Sequence, residues 1–273
     1  MTTGRAIDHI GIATHDLDAL AMKYQALGFT LTPRAYHQDH MGTSNRLVQF
    51  GPGEGLGHNF IELLEVDRPD TMLPHGPNFM GFGQFNHDFL KKRVGMSLVI
   101  FRTDDTADDL ARWKAKGLQA YDQFNFEREA ILPDASHVTV SFELGFVTSP
   151  TIPDVLFYVC DNKAEEHFWK PQFQAHANGA EEMTAITLSA NDPTAAAEFV
   201  SALFDGDLTA IEGGHSVSCG PHRIDIVAPR TVSAKGWTEL PPQGGVGFSV
   251  RNPGLAGTTT KPNDAGNAFI DWV

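Results

Sequence analysis

The chain has 273 residues, of which 41% are hydrophobic and 20% charged, and its formal net charge is -14. That length gives one large domain or two ordinary ones, with a sizeable buried core. The acidic balance argues against nucleic acid and anionic membranes as partners, because both are polyanions.

The first predicted strand is Ile7-Asp8-His9-Ile10-Gly11-Ile12-Ala13. A helix follows, opened by Asp16 or Asp18, striped by Leu17, Leu20, Tyr24 and Leu27, and closed at Gly28. Short strands are expected near Phe29–Thr32, Arg46–Phe50 and Asn59–Val66. Residues 67–94 carry Phe79, Phe82, Phe85 and Phe89 and read either as a pocket lid or as an ordinary packed surface loop. The same order then returns from Gly95. Asp104 or Asp105 opens a helix in which Leu110 and Trp113 pack, Gly117 closes it, and strands follow near 119–123, 137–143 and 154–160. A third copy starts at Met183, with Asp192-Pro193 opening its helix and strands near 208–211, 215–218 and 223–227. Val246–Arg251 and Ala268–Val273 suggest an incomplete fourth copy, because too few residues separate them for a full set of elements.

Period-2 alternation places Ile10 and Ile12 on one face of the first strand, and Ile61 and Leu63 on one face of the last strand of the first copy. His9 and Glu62 fall on the opposite faces. A carboxylate inside an apolar strand is costly to bury unless it is paired or binds a cation. The pair is therefore a candidate site; the competing reading is a hydrogen-bonded core histidine and a glutamate paired with Arg46. Thr43, Ser44, Asn45 and Arg46 read as a polar pocket edge or as a turn opening a strand. Phe168-Trp169 suits a pocket wall or core, and His176-Ala177-Asn178-Gly179 reads as a turn. Cys160 and Cys219 form no disulfide framework and no zinc spacing. With no basic-then-apolar leader and no long apolar run, a cytoplasmic protein is expected. There is no phosphate-cradling glycine loop and no nucleophile elbow.

The βαβββ repeat with His on its first strand and Glu on its last resembles the vicinal oxygen chelate superfamily, in its glyoxalase-like branch. That superfamily also holds extradiol dioxygenases and bleomycin resistance proteins. The residues that carry the resemblance are DHIGIATHDLDALAMKYQALGFTLTPR, HQDHMGTSNRLVQF, IELLEV, FLKKRVGMSLVIF and FWKPQFQAHANGA. It implies an α+β fold in which βαβββ modules pair into an open mixed barrel, with a third module and a partial fourth. The expected division is paired modules over 5–160, a linker over 161–182, and the third and partial fourth modules over 183–273.

The resemblance also implies a divalent metal (Fe, Mn, Ni or Zn), with His9 and Glu62 on two ligand positions. Seven residues before Asp105, as His9 is before Asp16, stands Leu98, and the second module's counterpart of Glu62 falls near Phe157. Neither binds a metal. His40 is favoured as the third ligand, with His37, His176 and Asp225 as alternatives, the last if the first and third modules pair. The implied activity is that of a metal-dependent enzyme on a small oxygenated compound, as a lyase or isomerase rather than a ring-cleaving dioxygenase. Glu62 and His9 are the catalytic candidates. Asn45, Arg46, Phe157 and Trp169 are the candidate substrate contacts, in a cavity whose second-module wall is apolar (Leu98, Ile100, Val155, Phe157, Val159). The alternatives are a binding or resistance protein without turnover and a metal-free acid–base enzyme. A small molecule is the expected partner, and a homodimer is left open.

Overall fold

Asp16, Asp105 and Asp192 each accept a hydrogen bond from the backbone N–H three residues on, and so start the three long helices. The computed structural model describes residues 5–51, 58–131 and 137–273. Its first module runs β1 (Ile7–Thr14), α1 (Leu17–Ala26), β2 (Ala35–Tyr36), β3 (Thr43–Phe50) and β4 (Asn59–Val66). Helix α2 (Phe82–Leu90) leads into the second: β5 (Gly95–Arg102), α3 (Thr106–Ala115), β6 (Gln119–Ala120), β7 (Phe124–Ile131), β8 (His137–Thr148) and β9 (Leu156–Asn162). Two short helices, α4 (Glu165–Phe168) and α5 (Pro171–Gln174), precede the third module. That module comprises β10 (Glu182–Ser189), α6 (Pro193–Phe204), β11 (Leu208–Ile211), β12 (Gly214–Cys219) and β13 (His222–Val227). After α7 (Pro229–Ser233) come β14 (Gly244–Arg251), β15 (Thr259–Thr260) and β16 (Phe269–Trp272).

One pairing rule runs through all four units. The first and last strands lie parallel: β1 with β4, β5 with β9, β10 with β13 and β14 with β16. Parallel neighbours need a long crossover, which the helix and intervening strands supply. The units then join in twos through antiparallel first strands, β1 with β5 and β10 with β14. The result is two mixed sheets, of nine and seven strands, neither closed into a barrel among the described residues. The expected repeated α+β modules are what the fold contains. In the fourth unit a one-turn helix at Pro262–Asp264 and the two-residue β15 replace the long helix of the others.

The first module pairs with the second and not with the third, so Asp225 stands in the seven-stranded sheet, bonded to Ser216 and Arg223. One face of the nine-stranded sheet carries Ile10, Ile12, Ile61, Leu63, Val99, Phe101, Phe157 and Val159. They share a core with α1, α3, α6 and the second sheet's Ile186, Leu188 and Phe248. The other face carries the cavity. Its apolar lining cluster includes Met41, Phe82, Leu144, Phe142, Tyr158 and Cys160.

Candidate active site

The cavity centres on β1 and β4 where they lie side by side. His9 and Glu62 are both buried, 6% and 3% exposed, and both face it. Strict alternation would send Asp8 to the opposite face from His9. A register shift in the β1–β5 pairing between Ile7 and His9 breaks that alternation, and Asp8 also lines the cavity. Its Oδ1 lies 2.6 Å from His9 Nδ1. With Nδ1 held there, Nε2 is the nitrogen presented to the cavity. Tyr158 Oη is 3.3 Å from that nitrogen and Glu62 Oε2 is 3.9 Å away. Phe60 stacks on the imidazole, with centroids 4.1 Å apart and planes 14° apart.

Glu62 is held from its other oxygen. Asn45 Nδ2 donates to Oε1 at 2.6 Å, and His37 Nε2 stands 3.7 Å from the same oxygen. His37 Nδ1 is in turn 2.8 Å from Thr43 Oγ1. Asp8 is steadied by Arg102, whose guanidinium lies 3.5 Å from its Oδ2. Burial first, and then the negative charge of Glu62, pushes the Tyr158 phenol well above its ordinary range, so it stays protonated and can donate. Burial does the same to the Cys160 thiol, which makes it inert.

A glyoxalase-like domain model matches residues 7–204, most of the chain. The chain belongs to the glyoxalase-like domain family, within the vicinal oxygen chelate superfamily. A solved structure of a hypothetical protein from Staphylococcus aureus is 13% identical and covers 98% of this chain and 99% of its own, with a TM-score of 0.72; it shares the fold. A Streptomyces coelicolor methylmalonyl-CoA epimerase in complex with 2-nitronate-propionyl-CoA is 25% identical over 60% of this chain and all of its own, at a TM-score of 0.42. A xylose isomerase-like TIM barrel/4-hydroxyphenylpyruvate dioxygenase fusion protein is 15% identical over 92% of this chain and 37% of its own, at 0.49. A search of curated proteins finds no significant match.

Within this glyoxalase-like fold, His9, Glu62, Asn45 and Trp169 all line one cavity. Three expected site residues do not. Phe157 is fully buried on the far face, with its ring centroid 5.4 Å from that of Phe199 on α6, and Val155 and Val159 share that face. The second-module wall is instead Phe126, Phe142, Leu144, Tyr158 and Cys160, with Leu98, Ile100 and Leu156 in the apolar cluster behind it. Register explains the slip. Gly11 pairs with Glu62, and Ile100, two residues past Leu98 as Gly11 is past His9, pairs with Tyr158. Tyr158 is therefore the true counterpart of Glu62.

Arg46 also points away from the cavity, because Asn45 and Leu47 on either side point into it; it pairs with Asp18 at 3.0 Å. His40 packs edge-on to Phe124, in a one-turn helix that Gly42 ends at φ +66°. The chain does turn back there, but His37 is the histidine delivered to Glu62. His176 accepts from the Thr30 N–H with Nδ1 and donates to the Gln49 carbonyl with Nε2, a structural clamp.

These positions bear on the implied metal. His9 and Glu62 occupy first- and last-strand ligand positions, but Leu98 and Tyr158 fill the second module's. Among the described residues no three His, Cys, Asp or Glu side chains converge to hold a metal ion. The donor set does not fit a three-ligand site built on the His9 and Glu62 positions that the resemblance implied, with His40 as the favoured third ligand.

Proposed function

We propose that this chain is an enzyme that moves a proton on a small oxygen-bearing organic substrate, as an isomerase or lyase does, with its own side chains as acid and base. The observation that carries this reading is the Asp8–His9 contact at 2.6 Å, which aims His9 Nε2 at a cavity shared with Glu62 and Tyr158. Two proton-transferring groups, His9 Nε2 and Glu62 Oε2, lie 3.9 Å apart on one side of the space a substrate would fill. One takes a proton from carbon next to a carbonyl and the other returns it to the neighbouring atom. Tyr158, kept protonated by burial, donates to the oxygen on which charge develops. Asn45 holds Glu62 with one oxygen toward the cavity. The aromatic walls exclude water and strengthen each of these interactions.

The test is loss of C–H signal from small hydroxy-ketones and 2-oxo compounds in D2O, followed by proton NMR. Wild-type protein is expected to catalyse exchange that chelators leave intact and that His9→Gln and Glu62→Gln lower by roughly 10²- to 10⁴-fold. Exchange abolished by chelation, with about one transition metal per chain by elemental mass spectrometry, would return the metal-dependent reading. No exchange on any compound would favour a binding protein that uses the same cavity.

A further inference from the structure

The walls of the cavity are aromatic and its charged groups are mostly acidic. Phe60, Phe168 and Trp169 form one corner. Their centroids lie 5.2, 4.9 and 5.9 Å apart pairwise, and their planes meet at 50°, 85° and 69°. All three rings line the cavity; the His9 imidazole covers one face of Phe60 and His58 covers one face of Trp169. Three carboxylates, Asp8, Glu62 and Glu165, line the same space, and no lysine or arginine among the described residues does. Arg102, outside the lining, lies 3.5 Å from Asp8 and 3.4 Å from Glu165, with its guanidinium carbon 6.0 Å from the Trp169 ring centroid. That guanidinium answers two of the three carboxylates, while Glu62 accepts from Asn45. The other titratable side chains facing the cavity are His9, His37, Tyr158 and Cys160, and burial keeps the last two protonated and neutral.

An anionic ligand entering this space would meet carboxylates across a poorly solvated gap, where repulsion is strong. A cation would meet ring faces, which attract it through their quadrupoles, and the carboxylates behind them. We propose that the cavity selects a small molecule bearing an ammonium or similar cationic group on a compact apolar body, with the cationic group against Phe60, Phe168 and Trp169. This rests on the cavity being the substrate site and adds the charge of the substrate.

The test is calorimetric titration of the full-length chain with three probes that share a benzyl or phenyl body: benzylammonium, benzyl alcohol and benzoate. Benzylammonium is expected to bind at least about tenfold more tightly than either of the others. In Trp169→Leu and in Glu165→Gln, each checked for folding by circular dichroism, that advantage should shrink to about threefold or less. Equal or tighter binding of benzyl alcohol or benzoate would overturn the proposal. So would an unchanged cation advantage in both variants, or no binding of any probe. Cation-selective binding without proton exchange on any compound would uphold this inference and end the acid–base reading, so the two fail separately.

Discussion

His9 offers one nitrogen to the cavity because Asp8 holds the other, and Asp8 in turn is held by Arg102. A carboxylate on the far nitrogen fixes both tautomer and ring orientation. Asp8→Asn keeps the size and loses the charge. It is expected to lower the proton-exchange rate at least about tenfold with little change in substrate KM, measured by NMR exchange at varied substrate. His176 illustrates the other fate of a buried histidine. Burial lowers its pKa from 6.5 to about 4, with the Gln49 carbonyl opposing the shift. The unfolded chain therefore takes up this proton between pH 6.5 and about 4 while the folded chain does not. The stability that neutral His176 contributes is complete above pH 6.5 and is lost as pH falls toward 4. Thermal melts across that window should show a shallower loss of Tm in His176→Gln than in the wild type; parallel curves would count against the assignment.

At the scale of elements, the close contact of β1 and β5 positions the site. Gly11 leaves room for Leu98: a Cβ there would fall 2.5–2.9 Å from its side-chain carbons. The apolar residue at the second module's ligand position thus sits over the backbone of the first. Gly11→Ala should destabilise the fold by about 1–3 kcal/mol in urea titrations, because neither strand can move without shifting His9 or Ile100. Strand parity makes a second test. Phe157→Ala empties the far core, so it should cost about 3–5 kcal/mol of stability while leaving ligand affinity in the cavity unchanged. Tyr158→Phe, one residue on, should leave stability nearly intact and lower the exchange rate. Helices α4 and α5 belong to this scale too. They bring Phe168 and Trp169 onto the cavity and seat Gln49 against the Phe168 and Lys170 backbone.

At the scale of the whole molecule, the two sheets are joined by buried polar contacts as well as by the shared core. Asn59 at the start of β4 donates to the Met183 carbonyl at 2.7 Å and accepts from the Met183 N–H at 3.1 Å. His222 Nδ1 accepts from the Ile7 N–H, and Trp113 on α3 donates to the Leu203 carbonyl on α6. Asn59→Ala would strand the Met183 backbone groups inside the protein. It should lower stability by about 2–4 kcal/mol. A single unfolding transition in the variant would mean that the sheets unfold together, and two transitions would show that this joint couples them.

The repeated modules, their helix caps and the inward faces of His9 and Glu62 are legible in the amino-acid sequence. Those features follow from local signals: capping aspartates, closing glycines such as Gly28 at φ +86°, and period-2 alternation along short strands. It also held Asn45 and Trp169 as pocket residues, without the carboxylate that Asn45 donates to. Which modules pair, and with that the exclusion of Asp225, follows from strand contacts distant in the chain. The folded chain brings Asp8 beside His9, because a bulge arises from pairing between β1 and β5 and leaves no mark in β1 alone. The exchange of Phe157 for Tyr158 has the same origin. A register offset of one residue reverses every side chain of a strand, and that offset is set by partners distant in the chain.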